Sequence, residues 1–138
     1  MKKLLLLSAI LIFGCSSADG NDNNPGNTGN SFNPPNWIQG VWLNEAIPTV
    51  ALGFEFRADD ICNITGSQAN CNKAIIELYE NAPNAQTSVY EEISNTRYFV
   101  VFSYITLEQT WEFEKISANE INGIQGPSIS TATIYTKQ

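Results

Sequence analysis

The chain has 138 residues, with seven basic and fourteen acidic side chains, three cysteines and no histidine. A formal charge of −7, with the basic residues scattered, excludes the phosphate-neutralising surface that nucleic acid or anionic headgroups require. The absence of histidine removes the serine–histidine and cysteine–histidine nucleophile systems and the commonest metal ligand.

Met1-Lys2-Lys3 is followed by an apolar stretch from Leu4 to Phe13 and then by Gly14-Cys15. Charge, apolar run and small residue, in that order, make a secretory signal. A permanent membrane helix needs roughly 20 apolar residues, so this shorter run is expected to be removed. Ile12-Phe13-Gly14-Cys15 resembles the lipobox of bacterial lipoproteins, with Phe13 bulkier than the residue that family prefers there. The resemblance implies that residues 1–14 are cleaved and that Cys15 becomes the first residue, alkylated by diacylglycerol and acylated on its new amino group. Two or more acyl chains anchor stably where one binds marginally. A plain signal peptide with an incidental Cys15 is the simpler alternative. Loss of Lys2 and Lys3 would leave five basic residues against fourteen acidic ones, a formal charge of −9.

From Ser16 to Pro35 there is one aromatic residue and no aliphatic one larger than alanine. So little apolar area cannot offset the entropy of ordering, and residues 15–36 are expected to form a disordered tether. A coil of that length spans roughly 25 Å, enough to hold a domain clear of the headgroups. Asp19 and Asp22 loosely resemble surface-export signals of lipoproteins in one group of Gram-negative bacteria, and Ser16 is similar to outer-membrane sorting marks. These resemblances imply a lipid-anchored outer-membrane protein on the periplasmic face or the cell surface. Acids and asparagines equally keep a tether soluble.

Residues 37–138 suffice for one domain. Short runs rich in β-branched and aromatic residues, broken by Asn, Gly, Asp and Pro, predict strands. They are Trp37 to Asn44, Val50 to Ala58, Ile61 to Thr65, Ala74 to Glu80, Ser88 to Ile93, Arg97 to Tyr104, Thr110 to Ile116, Glu120 to Ile124 and Ser130 to Tyr135. Asp59-Asp60, Asn95 and Ala118-Asn119 sit at hairpin turns and predict antiparallel neighbours. Leu52, Phe54 and Phe56 alternate with Gly53, Glu55 and Arg57, and Trp111 and Phe113 alternate with Thr110, Glu112 and Glu114. Each pattern fits a strand with one wet face. Tyr98 to Phe102 is apolar on both faces, which predicts a central or doubly covered strand. Ile75 to Tyr79 also fits a helical turn. The predicted fold is all-β, a small antiparallel up-and-down barrel of about eight strands.

Gly40-Val41-Trp42 near the start of this domain resembles the Gly-x-Trp of the first lipocalin strand, and the stretch Trp111 to Ile121 is similar to later strands of bacterial lipocalin-like lipoproteins. The resemblance implies a barrel closed at one end by the tryptophan, over which lipocalins pack an arginine from the last strand. Here the sequence departs from the family, since the last run offers only Lys137, so the closed end is either built differently or is not that of a true lipocalin.

Carboxylate pairs are the remaining route to acid–base chemistry: Glu91-Glu92, Asp59-Asp60, and Glu112 with Glu114. Solvated strand and turn positions explain each of them as well. Asp59, Asp60 and Asn63 could contact calcium, or simply form a tight turn. With Cys15 lipidated, Cys62 and Cys71 remain as an even pair in an oxidising compartment. A bridge there would contribute on the order of 2–3 kcal/mol; two free thiols are the alternative. Trp42, Phe54, Phe56, Phe102, Trp111 and Phe113, with Trp37 and Tyr104, either line an apolar ligand cavity or make up the core.

The expected function is that of a membrane-anchored extracytoplasmic lipoprotein with a lipocalin-like domain binding a small apolar ligand. The alternative is an accessory or inhibitory protein-binding subunit of an outer-membrane assembly. Catalysis, cofactors and nucleic acid are not expected.

Overall fold

The computed structural model describes residues 24–83, 86–126 and 132–138, with side chains from Gly29 onward. The signal, Cys15, the first part of the tether, and Ser130 and Thr131 of the last predicted strand lie outside the described residues. The strands are β1 (Asn24–Gly29), β2 (Gly40–Leu43), β3 (Leu52–Phe56), β4 (Ile61–Thr65) and β5 (Gln68–Cys71), then helix α1 (Asn72–Glu80), then β6 (Thr87–Ile93), β7 (Arg97–Tyr104), β8 (Leu107–Lys115), β9 (Glu120–Gln125) and β10 (Thr133–Lys137). They form one sheet in the order β1-β6-β7-β8-β9-β10-β2-β3-β4-β5. Every pairing is antiparallel.

The predicted all-β up-and-down architecture is what the chain adopts, with ten strands where about eight were expected. Two meanders, β2 to β5 and β6 to β10, join where Thr136 and Lys137 of β10 lie opposite Leu43 and Trp42 of β2. The three predicted hairpins connect β3 to β4, β6 to β7 and β8 to β9. The sheet curls, and α1 touches β4 on one flank and β6 and β7 on the other, so the helix bridges the gap between the two meanders.

Two expectations are corrected. The run Ala74 to Glu80 is helical, not a strand. Periodicity cannot separate a short apolar run in a strand from one in a helix, and a contact distant in sequence decides it. The Asp60 carboxylate accepts the backbone N–H of Lys73 at 2.8 Å and that of Ile61 at 2.7 Å, holding the first turn of α1. Only one stripe of the helix is then buried, through Asn72 and Ile76, while Leu78 stays 70% exposed.

The second correction concerns the tether, because the fold begins upstream of Trp37. β1 pairs with β6, and Phe32 is fully buried with its ring edge-on to Phe102, centroids 5.3 Å apart. The N–H of Asn33 donates to Glu91 at 2.8 Å, and the indole N–H of Trp37 donates to the Ser94 carbonyl at 2.8 Å. Composition averages over a stretch, whereas one aromatic ring in a matching gap offsets the ordering of its immediate neighbours.

The strand faces follow the sequence pattern. Phe54, Phe56, Trp111 and Phe113 are buried, and Glu55 and Glu112 face outward. β7 is central, between β6 and β8. Its outer face is not covered by a second layer, since Arg97, Phe99 and Val101 remain half-buried. Arg97 stacks over Phe99 at 5.1 Å and is paired with Glu92 and Glu112, which screens that face.

Candidate functional site

The carboxylate pairs are separated by the strands that carry them. Glu91 is 2% exposed inside the barrel, where its Oε1 accepts from Tyr98 Oη and from the Asn33 N–H. Glu92, one residue on, faces outward to Arg97 and Tyr90. Adjacent strand residues point to opposite faces, so these two cannot act on one bond. Arg97 and Tyr90 together hold the Glu92 carboxyl below its ordinary range, with the Arg97 hydrogen bond dominant. Burial, reinforced by Glu91, pushes the Tyr98 phenol well above its usual range. Glu112 is held by Arg97, and Glu114 makes no ion pair among the described residues.

Asp59 is paired with Lys73, Asp60 caps the helix, and Asn63 lies on β4 with its side chain at the opposite end of the barrel from that turn. The structure therefore does not bring these three together as a calcium site. Cys62 and Cys71 sit directly opposite each other on β4 and β5 and are bridged, which resolves the two alternatives left by the sequence. Their sulfurs lie near Asp60, but both are committed to the disulfide and offer no thiolate to a metal.

All six aromatic residues considered as ligand contacts are buried in one cluster. Phe54 meets Trp111, Phe113 and Tyr135 edge-on at 5.3, 5.0 and 5.3 Å, and Phe102 meets Trp111 at 4.8 Å. These are contact distances for aromatic pairs, and the rings fill the space between them. One end of the barrel is sealed. Lys137 Nζ lies 5.2 Å over the Trp42 ring, and Trp42 donates its indole N–H to the Ile38 carbonyl. Gly40 is at φ +123°, a conformation that strains any residue with a Cβ, and a Cβ there would also push the lysine stem aside, lying 2.9 Å from Lys137 Cε. Lys137 thus takes the place over the tryptophan that the sequence left without an arginine. Lys115 lies 6.0 Å over Trp37 at the same end.

The other end is open and polar. A cup of about 440 Å³ is lined by Asn44, Leu52, Gly53, Asn63, Ile64, Thr65, Gln109, Trp111, Gln125 and Tyr135. Its origin is visible strand by strand. Along β2 the inward series passes from Trp42 to Asn44, and along β8 from Phe113 and Trp111 to Gln109. Along β4 it passes from Ile61 to Asn63 and Thr65, and along β9 from Ile121 and Gly123 to Gln125. Because side chains of period two share a face, four strands exchange apolar for carboxamide side chains toward the same end of the barrel. The Asn63, Thr65 and Gln109 side chains make no hydrogen bond among the described residues; Asn44 accepts from the Ala46 N–H, and Gln125 reaches Tyr135 Oη at 3.4 Å. Burial pushes the Tyr135 phenol up, partly offset by hydrogen bonds from Gln125 and Thr133.

A second recess, of about 590 Å³, lies beside Trp37 at the sealed end. There Trp37 donates to Ser94 and Gln39 donates to Pro34 and Asn36, while the Asn33 and Asn95 side chains make no hydrogen bond among the described residues. The mouth is the better candidate, because it opens onto the inward faces of the strands, through Trp111 and Tyr135, whereas the recess is walled mostly by loop residues.

No protein-family model, no curated protein and no solved structure matches the chain. Chemistry alone therefore indicates what the mouth accepts. Sequence reasoning missed it, although the signal was present as an Asn or Gln two positions beyond an inward residue along β2, β4, β8 and β9.

Proposed function

We propose that this protein is a lipid-anchored extracytoplasmic binding protein of lipocalin-like type, held to the outer membrane through Cys15, whose ligand enters the open mouth of the barrel. The observation that carries this reading is the asymmetry of the two ends, one plugged by Trp42 and Lys137 and the other a cup of about 440 Å³ with unpaired amides. A pocket of a few hundred Å³ with a few convergent polar groups is the usual form of a small-molecule site. An apolar ligand deep in the barrel would need the volume that Phe54, Phe56, Phe102, Trp111 and Phe113 take themselves, so the reading moves the ligand outward to the cup. A non-enzymatic role is supported by the carboxylates, of which Asp60 caps a helix and Glu92 and Glu112 clamp Arg97.

The test has two arms. Intact mass of the protein from its native host is expected to show a chain starting at Cys15 with diacylglycerol attached, and Cys15→Ser is expected to release it from membranes. A chemically mixed small-molecule library, scored by melting temperature, is expected to give ligands that Gln109→Trp, which fills the cup, no longer binds. Retention of binding in Gln109→Trp would place the ligand elsewhere.

A second reading, docking of an outer-membrane protein, is favoured by the rim of the mouth. Ile47, Val50 and Ile105 are exposed on mouth-end loops and Leu107 at the start of β8, and Ile105 sits at φ +58°, a conformation that costs a β-branched residue on the order of 1–3 kcal/mol. Pull-down from membranes with Ile105→Asp and Leu107→Asp variants tests it, and loss of a specific partner is the expected result.

A further inference from the structure

Resting on the reading of the mouth as a ligand site, we infer that the cup selects an uncharged, polyhydroxylated ligand of saccharide type. Its polar lining is Asn44, Asn63, Gln109, Gln125, Thr65 and Tyr135, four carboxamides and two hydroxyls, with no charged side chain among them. A carboxamide presents donors and acceptors on one planar group, and a sugar hydroxyl is donor and acceptor at one atom. The two match without regard to which partner supplies the proton. Three of the six side chains, Asn63, Thr65 and Gln109, have no partner among the described residues, so a hydroxylated ligand satisfies groups that are otherwise left to water.

The competing ligand classes fit less well. A carboxylate or phosphate would be stripped of water with no cation to meet it, inside a chain of formal charge −7. A cation would find no carboxylate in the cup. An alkyl ligand would cover the amides and leave them unpaired, which binding sites penalise steeply. The floor suits a pyranose, whose carbon skeleton carries C–H groups between its hydroxyls. Trp111 and Tyr135 form it, locked against Phe54 at 5.3 Å each. Trp37 and Trp42 donate their indole N–H groups to backbone carbonyls, whereas Trp111 has no acceptor among the described residues. A volume of about 440 Å³ lies at the lower end of the range of roughly 300–1,000 Å³ typical of small-molecule sites and accommodates one or two sugar rings.

The experiment is isothermal titration of the purified full chain, kept in a detergent without a sugar headgroup. The probes are N-acetylglucosamine, galactose and cellobiose, set against glucuronate, glucosamine and decanol. At least one neutral sugar is expected to bind about tenfold or more tighter than every charged or alkyl probe. Gln109→Leu and Asn63→Leu, each with an unchanged melting temperature, are expected to weaken that sugar about tenfold or more while leaving decanol binding no weaker. Silence of all neutral sugars, or equal affinity for glucuronate or decanol, overturns the saccharide assignment. If another class binds and Gln109→Trp abolishes it, the mouth remains a ligand site with the wrong ligand class assigned. If Gln109→Trp leaves sugar binding intact, both the assignment and the mouth reading fall.

Discussion

The two ends of this barrel are built from the same strands and do opposite things. At the sealed end the Trp42 and Trp37 indoles each donate to a carbonyl and lie beneath a lysine. At the mouth the strands carry amides that lack protein partners, over a floor of rings. Packed rings and open polar groups are thereby separated along one axis. Matched polar groups and packed rings define one state, while unmatched groups that water can reach cost little and remain available to a ligand.

That separation can be broken by substitution. Trp42→Ala, at the sealed end, is expected to cost about 3–5 kcal/mol in urea unfolding, and Phe32→Ala about as much because its ring is wholly buried. A cost near zero for Phe32→Ala would restore residues 24–36 to the tether. Replacing both Cys62 and Cys71 with alanine is expected to remove about 2–3 kcal/mol by freeing a loop of nine residues' separation, read as a lower urea midpoint.

Smaller effects sharpen the same contrast. Lys137→Met keeps the stem over Trp42 and removes the charge, and is expected to cost about 0.5–1 kcal/mol. On the outer face of the sealed end, the Glu92 carboxyl is held below its ordinary range in the folded chain. Its contribution is therefore present above the unfolded carboxylate pKa and lost as pH falls through the lower folded value. Arg97→Ala is expected to cost about 0.5–1 kcal/mol near neutral pH and progressively less under acid, measured as unfolding free energy against pH. At the mouth, Gln109→Leu is expected to change stability by less than about 0.5 kcal/mol while altering ligand binding. A large stability loss there would merge the two ends into one structural core.

Much of the fold was legible in the residues. The alternation of Leu52, Phe54 and Phe56 and of Trp111 and Phe113 assigned faces correctly, since period two follows from strand geometry alone. The turns at Asp59-Asp60, Asn95 and Ala118-Asn119 placed three hairpins. The run Ala74 to Glu80 fits both a strand and a helical turn by sequence, because the start of the helix is fixed by Asp60, twelve residues before Asn72. Phe32 escaped because its pocket is made by β7, seventy residues later. By sequence the six aromatic residues fit cavity or core alike, and their burial in one cluster decides for the core.

By itself the sequence determined that this chain folds as an antiparallel all-β domain, which faces of the strands are wet, and which chemistries the absence of histidine and of basic clusters excludes. Those properties are local or compositional, and neighbouring residues specify them. Tertiary structure decided which end of the barrel closes, that Lys137 rather than an arginine covers Trp42, and that amides from four strands line one cup. These depend on register between strands distant in the chain, and register exists only once the sheet has formed.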